Sequence, residues 1–146
     1  MAEEGRQLFC RLITPERVVY DGEADLVVAK IADGEIGVMV DHYPVISTVD
    51  FWDVRISRGE ERYVYATSDG FFKVADNLVQ ILVEEAVPAP EINVEEAEHR
   101  IEQAERELSG LPEEEDEDTR RAREEILRRV RIGENLVRVA RKYGGG

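Results

Sequence analysis

The hydrophobic repeat of this chain changes from two residues to about 3.5 across one short segment, Val87-Pro88-Ala89-Pro90. A period of two puts alternate side chains on opposite faces of a strand, whereas a period near 3.6 lines one face of a helix. No single regular element satisfies both, so a β part must precede an α part. The two prolines disfavour helix in the residue before each and offer no backbone donor. The segment reads as a short stiff linker. The expected organisation is a β-sandwich over 1–87, a linker over 88–92 and a helical hairpin over 93–146.

Before the linker, β-branched and aromatic runs recur between turn signals at the spacing of an all-β sandwich or barrel. They are Leu8–Ile13, Val18–Tyr20, Leu26–Lys30, Ile36–Val40, Val45–Val49, Val54–Ser57, Arg62–Thr67, Phe71–Ala75 and Leu78–Val83. Thr14-Pro15, Asp21-Gly22, Asp33-Gly34, the stretch Asp41 to Pro44, Arg58-Gly59, Asp69-Gly70 and Asp76-Asn77 punctuate them, residues that tolerate positive φ or fix a turn by local hydrogen bonds. About nine strands fit, and both faces of Arg62-Tyr63-Val64-Tyr65-Ala66 carry apolar groups. Two packed sheets explain that better than one.

After the linker, Val94, Ala97, Ile101, Ala104 and Leu108 form one helical stripe, with Asn93 as N-cap and Glu96 in the capping-box position. Ser109-Gly110-Leu111-Pro112 ends this helix, with glycine suited to a left-handed C-terminal position. A second helix is expected from Asp118 or Thr119, with Ala122, Ile126, Val130, Gly133, Val137 and Ala140 on its stripe and Gly144 to Gly146 closing it. Each helix needs a partner, because such narrow stripes are not stable alone. Charge is split across this half. Residues 91–118 hold 2 basic and 13 acidic residues, and residues 119–146 hold 9 basic and 3 acidic ones. The second helix is therefore a basic rod, and the glutamates of the first helix with the run Glu113–Asp118 offer its arginines an internal acidic partner.

The net charge of −14 argues against nucleic acid as a partner, since phosphate binding needs clustered Lys and Arg. No stretch approaches the ~20 apolar residues of a membrane span, and Met1 to Gln7 lacks the charged and apolar regions of a secretion signal. A soluble cytosolic protein is expected. The lone Cys10 cannot form an internal disulfide, and with only His42 and His99 it makes no zinc set. Cys10 reads as a small buried apolar residue, His42 as a hydrogen-bonded loop or interface residue, and His99 as solvated. The glycines of Asp33-Gly34-Glu35-Ile36-Gly37 match no phosphate-binding loop. Glu113–Asp118 reads as a solvated connector rather than a cation site. No nucleophile–base pair or metal set can be assembled, so the residues favour a binding or regulatory protein over an enzyme.

Six fragments, in order and spacing, carry a family resemblance. Thr14-Pro15-Glu16 and Tyr20-Asp21-Gly22-Glu23-Ala24 come first, followed by Gly34-Glu35-Ile36-Gly37-Val38 and His42-Tyr43-Pro44-Val45-Ile46-Ser47-Thr48. Ser68-Asp69-Gly70-Phe71-Phe72-Lys73-Val74 and Asn77-Leu78-Val79-Gln80-Ile81-Leu82-Val83 complete the set. Together they resemble the epsilon subunit of the F-type ATP synthase over nearly the whole chain.

The resemblance implies a non-catalytic subunit with a sandwich of about ten strands at the foot of the central stalk, peripheral on the cytoplasmic face of the bacterial plasma membrane and not inserted in it. The sandwich would stand between the gamma subunit and the c-subunit ring. Gly34, Glu35, Ile36 and Gly37 would meet the c ring, His42, Tyr43 and Pro44 would meet gamma, and both loops are expected at one end of the sandwich. The antiparallel hairpin would be regulatory. Extended toward a beta subunit through Arg120, Arg121, Arg123, Arg128, Arg129 and Arg131, it would restrain ATP hydrolysis. Some members bind ATP through (I/L)-D-x-x-R-A. The aligned Ile92-Asn93-Val94-Glu95-Glu96-Ala97 has Asn93 for the acid and Glu96 for the arginine, so the phosphate-pairing charge is gone and at most weak ATP binding is expected. No other cofactor is implied. A free-standing adaptor, its sandwich holding one partner and its hairpin another, is the alternative.

Overall fold

The computed structural model describes residues 6–114 and 116–144. The secretion-signal reading at residues 1–5, Glu115 of the acidic run and the closing Gly145 and Gly146 lie outside the described residues. The chain divides into two compact units, Met1–Pro88 and Ala89–Gly146.

Ten strands build the first unit: β1 (Leu8–Ile13), β2 (Val18–Ala24), β3 (Leu26–Ile31), β4 (Gly34–Val38), β5 (Val45–Val49), β6 (Trp52–Arg58), β7 (Glu61–Thr67), β8 (Gly70–Ala75), β9 (Leu78–Val83) and β10 (Ala86–Pro88). They hydrogen-bond in the order β10-β7-β6-β3-β5-β8-β9-β1-β2, with β4 also on β3. Every pairing is antiparallel except β1 with β9. The expected two sheets are thus joined into one network, and the joint is a single residue pair, Ile31 with Val49. So narrow a joint lets the sheet fold over, bringing the Tyr20 ring of β2 to 5.4 Å from the Tyr63 ring of β7. Between the halves lies one core to which all ten strands contribute, with Phe72 its largest fully buried side chain and Leu8, Cys10, Leu12, Ile56 and Ile81 among its members.

Local chemistry sets the turns. Asp76 and Asn77 both take left-handed φ, +50° and +62°, in the two-residue β8–β9 connection, the backbone that matches the twist of the flanking strands. Ser68 is buried, and its hydroxyl accepts the Glu84 and Glu85 N–H groups at 3.1 and 3.0 Å, tying the end of β9 to the start of β8.

Three boundaries differ from the sequence reading. β2 runs on through Asp21-Gly22, because Gly22 pairs with Cys10 in the ladder instead of turning. Pro88, expected in the linker, ends β10 opposite Tyr65. An edge strand tolerates proline because the missing donor can face away from the ladder. Ala89–Glu91, also expected as linker, forms a 3-10 turn with Ala89 buried.

In the second unit, α1 spans Val94–Ser109 and α2 spans Glu117–Tyr143. Asn93 caps α1, its Oδ1 accepting the Glu96 N–H at 3.0 Å. Gly110 ends α1 at φ −85°, so the left-handed cap expected there does not form. The acidic run has a structural use, since Asp116 is the N-cap of α2 and accepts the Thr119 N–H at 2.7 Å. Ala97 and Ala104 of α1 are buried, as are Ile126 and Gly133 of α2. Asn135, Leu136 and Val139 are buried too, a wider face than the stripe read from sequence. Within its unit α2 packs on the 3-10 turn as well as on α1.

Candidate functional site

The β3–β4 hairpin holds the first group of candidate residues. Outward and inward positions alternate along β4, so Glu35 and Gly37 are exposed while Ile36 packs on the core. Ile36 is therefore a poor surface contact. Gly34, at φ +119°, carries the left-handed backbone that glycine permits, whereas Gly37 sits in the ladder opposite Val28.

Glu35 is tied into a network that sequence reasoning missed. Trp52 Nε1 donates to Glu35 Oε2 at 2.9 Å, and Arg55 Nη1 reaches the same oxygen at 3.1 Å. Arg55 Nη1 also lies 2.6 Å from Oδ1 of Asp53, a carboxylate only 1% exposed. On the other side, Lys30 Nζ lies 4.3 Å from the Trp52 ring centre and 3.9 Å from Asp50 Oδ2. The signal in the sequence was the chain's one tryptophan standing beside Asp53 and Arg55.

The second group is built differently. Asp41 takes φ +66°, and its N–H donates to Asn77 Oδ1 at 2.6 Å while Asn77 Nδ2 returns a bond to Asp41 Oδ1 at 3.2 Å. Arg6 pairs with the same Asp41 at 2.8 Å. These contacts latch the β4–β5 loop to the β8–β9 turn. On this base His42 stacks on Tyr43, centroids 4.4 Å apart, and His42 Nδ1 donates to the Tyr43 carbonyl at 2.7 Å. Tyr43 is 69% exposed, and Pro44 is exposed beside it.

The expectation that both loops lie at one end of the sandwich is corrected. Val49 pairs with Ile31 near Gly34, while Val45 pairs with Val74 near the Asn77 turn, so Glu35 and His42 stand at opposite ends of β4 and β5. A five-residue strand separates them by about 13 Å. In register with Thr48 of β5, the outer side of β8, β9, β1 and β2 carries an apolar row. Phe71 pairs with Leu82, Leu82 with Ile13 and Ile13 with Val18, and Ile46 next to the loop is 78% exposed. Exposed apolar groups in a contiguous row mark an interaction face.

On the hairpin, Arg129 reaches Glu107 at 2.6 Å and Arg141 reaches Glu98 at 3.2 Å, joining α2 to α1. Arg121 pairs within α2 with Glu117 at 3.3 Å. Arg120, Arg121 and Arg131 are exposed, while Arg123, Arg128 and Arg129 are half-buried. The interhelix partners among these pairs come from the first-helix glutamates. A cleft of about 380 Å³ near the helix connection is lined by Glu107, Leu111, Ala122, Glu125, Ile126 and Arg129. It lies at the opposite end of α1 from Ile92–Ala97, where the Asn93 amide oxygen is already engaged as a cap. Among the described residues no cluster of three His, Cys, Asp or Glu side chains could hold a metal ion, and no helix is long and apolar enough to cross a membrane.

Residues 7–89 match the family model for the ATP synthase delta/epsilon chain β-sandwich domain. The chain is 93% identical, over all of its length and all of the relative's, to the ATP synthase epsilon chain of Rubrobacter xylanophilus. It is 32% identical to the ATP synthase epsilon chain of Levilactobacillus brevis, over 89% of this chain and 94% of that one. Its fold is like that of a chain in the cryo-EM structure of the Euglena gracilis mitochondrial ATP synthase, OSCP/F1/c-ring, with a TM-score of 0.71 at 22% identity over 90% of this chain and 79% of the other.

Proposed function

The chain belongs to the family of ATP synthase epsilon chains, non-catalytic subunits of the rotary complex, and from that premise we propose that it couples the c ring and gamma to the catalytic head of a proton-driven F-type enzyme. The sandwich stands at the foot of the central stalk on the cytoplasmic face of the plasma membrane. Its β3–β4 hairpin meets the c ring through Glu35, and the loop His42–Pro44 meets gamma. Sites at opposite ends of β4 and β5 suit a domain that touches two partners at once. Ile46, exposed beside that loop, extends the gamma contact onto β5.

The helical hairpin is the regulatory part, its α2 arginines meeting a beta subunit when it extends and restraining hydrolysis. Nucleotide binding is weak at most, because Asn93 and Glu96 replace a charged pair and Asn93 is committed to capping α1. The observation that carries the whole reading is the full-length 93% identity with an epsilon chain.

Single cysteines at positions 35 and 42, on a Cys10→Ala background, test it in assembled enzyme. The expected crosslinks are from 35 to the c ring and from 42 to gamma. A chain that purifies without gamma and the catalytic head would instead be a free-standing adaptor.

A further inference from the structure

We propose that Trp52 and Arg55 are positioning residues for the Glu35 carboxylate, holding it ready for a partner loop that offers arginine, lysine or amide donors. The inference rests on the reading that the β3–β4 hairpin meets the c ring. Glu35 is the second residue of β4 and the other two side chains stand on β6, with β3 lying between those strands. Trp52 Nε1 lies 2.9 Å from Oε2, and Arg55 approaches both carboxylate oxygens, Nη1 to Oε2 at 3.1 Å and Nη2 to Oε1 at 3.4 Å.

The holders are themselves held. Arg55 is anchored from behind by the buried Asp53 at 2.6 Å, and the Trp52 ring is covered by Lys30 at 4.3 Å. An exposed strand glutamate would otherwise lose rotamer freedom when a partner ordered it. In this chain three hydrogen bonds hold the carboxylate before any partner binds. The Glu35 side chain remains 43% exposed, and its two carboxylate oxygens offer about four lone-pair sites, so it can accept from a partner while tied. Asp33, Glu35, Asp50 and Asp53 outnumber Lys30 and Arg55 around the hairpin, leaving it two charges negative. Such a tip attracts cationic or N–H-rich loops and repels acidic ones.

The test uses the assembled enzyme depleted of this chain and then titrated with labelled wild type, Glu35→Gln, Trp52→Phe and the double variant. Phenylalanine keeps an aromatic ring under Lys30 while removing the N–H donor and part of the ring surface. Glu35→Gln should weaken rebinding, and Trp52→Phe should weaken it about three- to tenfold, less than the tenfold or more that a full hydrogen bond to a charged group is worth, because Arg55 still holds the carboxylate. In the Glu35→Gln background, where the Trp52 N–H meets only a neutral amide oxygen, Trp52→Phe should add much less. A folding defect would lower affinity equally in both backgrounds, and that result overturns the positioning role. So does unchanged binding of Trp52→Phe where Glu35→Gln binds weakly. Unchanged binding of Glu35→Gln itself overturns the contact reading and the positioning role with it.

Discussion

Gly133 stands in the middle of α2, where glycine costs ~1 kcal/mol relative to alanine. Its place is explained by α1, since a Cβ built there would lie 2.5 Å from Ile101 Cγ1, 3.2 Å from Ile101 Cδ1 and 3.4 Å from the Ala97 carbonyl oxygen. Carbon atoms pack at ~3.5–4.0 Å, so Gly133→Ala drives the new methyl about 1 Å into Ile101. Overpacking of this kind costs ~1–3 kcal/mol. Subtracting the helix gain leaves a net destabilisation of ~0–2 kcal/mol. Gly133→Val, with two more methyl groups and no comparable helix gain, should cost more. The sign should reverse once Ile101 is shortened. On an Ile101→Ala background Gly133→Ala should stabilise the helical unit by ~1 kcal/mol. Urea unfolding followed by ellipticity at a helix-sensitive wavelength, on all four members of the cycle, measures the coupling. A gain in stability from Gly133→Ala in the wild-type background would refute the idea that close approach selects this glycine.

Three further outcomes are expected. A Cβ at Gly70 would sit 1.9 Å from the Leu82 carbonyl oxygen, which is backbone and cannot swing aside, so Gly70→Ala should cost on the order of 3 kcal/mol in denaturant unfolding of the sandwich. The bond from the Thr119 N–H holds the Asp116 carboxyl below its ordinary range. A depressed folded-state value means that the cap stabilises α2 above the unfolded value and is lost as pH falls through the folded one. Asp116→Asn, which keeps an acceptor without the charge, should flatten the acid limb of the helical signal. Burial, helped by the charge of Asp21, pushes the Cys10 thiol up to about 12, so iodoacetamide at pH 8 should leave the folded chain unlabelled and modify it only as denaturant unfolds the sandwich.

Much of the fold was already decided in the sequence, because its signals are local. Alternation along Leu8-Phe9-Cys10-Arg11-Leu12 sets which side chains of β1 face the core, and that needs only the pleat of one strand. Asn93 marks the start of α1 because its side chain caps a donor three residues away. The shift of period past Pro88 separates sandwich from hairpin for the same reason. What the tertiary structure decided is non-local. Gly22 turns or continues according to whether Cys10 lies opposite it, and Pro88 closes a strand only because β7 has an open edge. The ends of β4 and β5 that carry Glu35 and His42 follow from strand pairing, not from their seven-residue separation along the chain. Trp52, Arg55 and Glu35 meet only when β3 lies between β4 and β6. Strand identity is settled by neighbours in the chain, whereas a site built across strands depends on which strands pair and in what register, and that is set by the packing of the whole sheet.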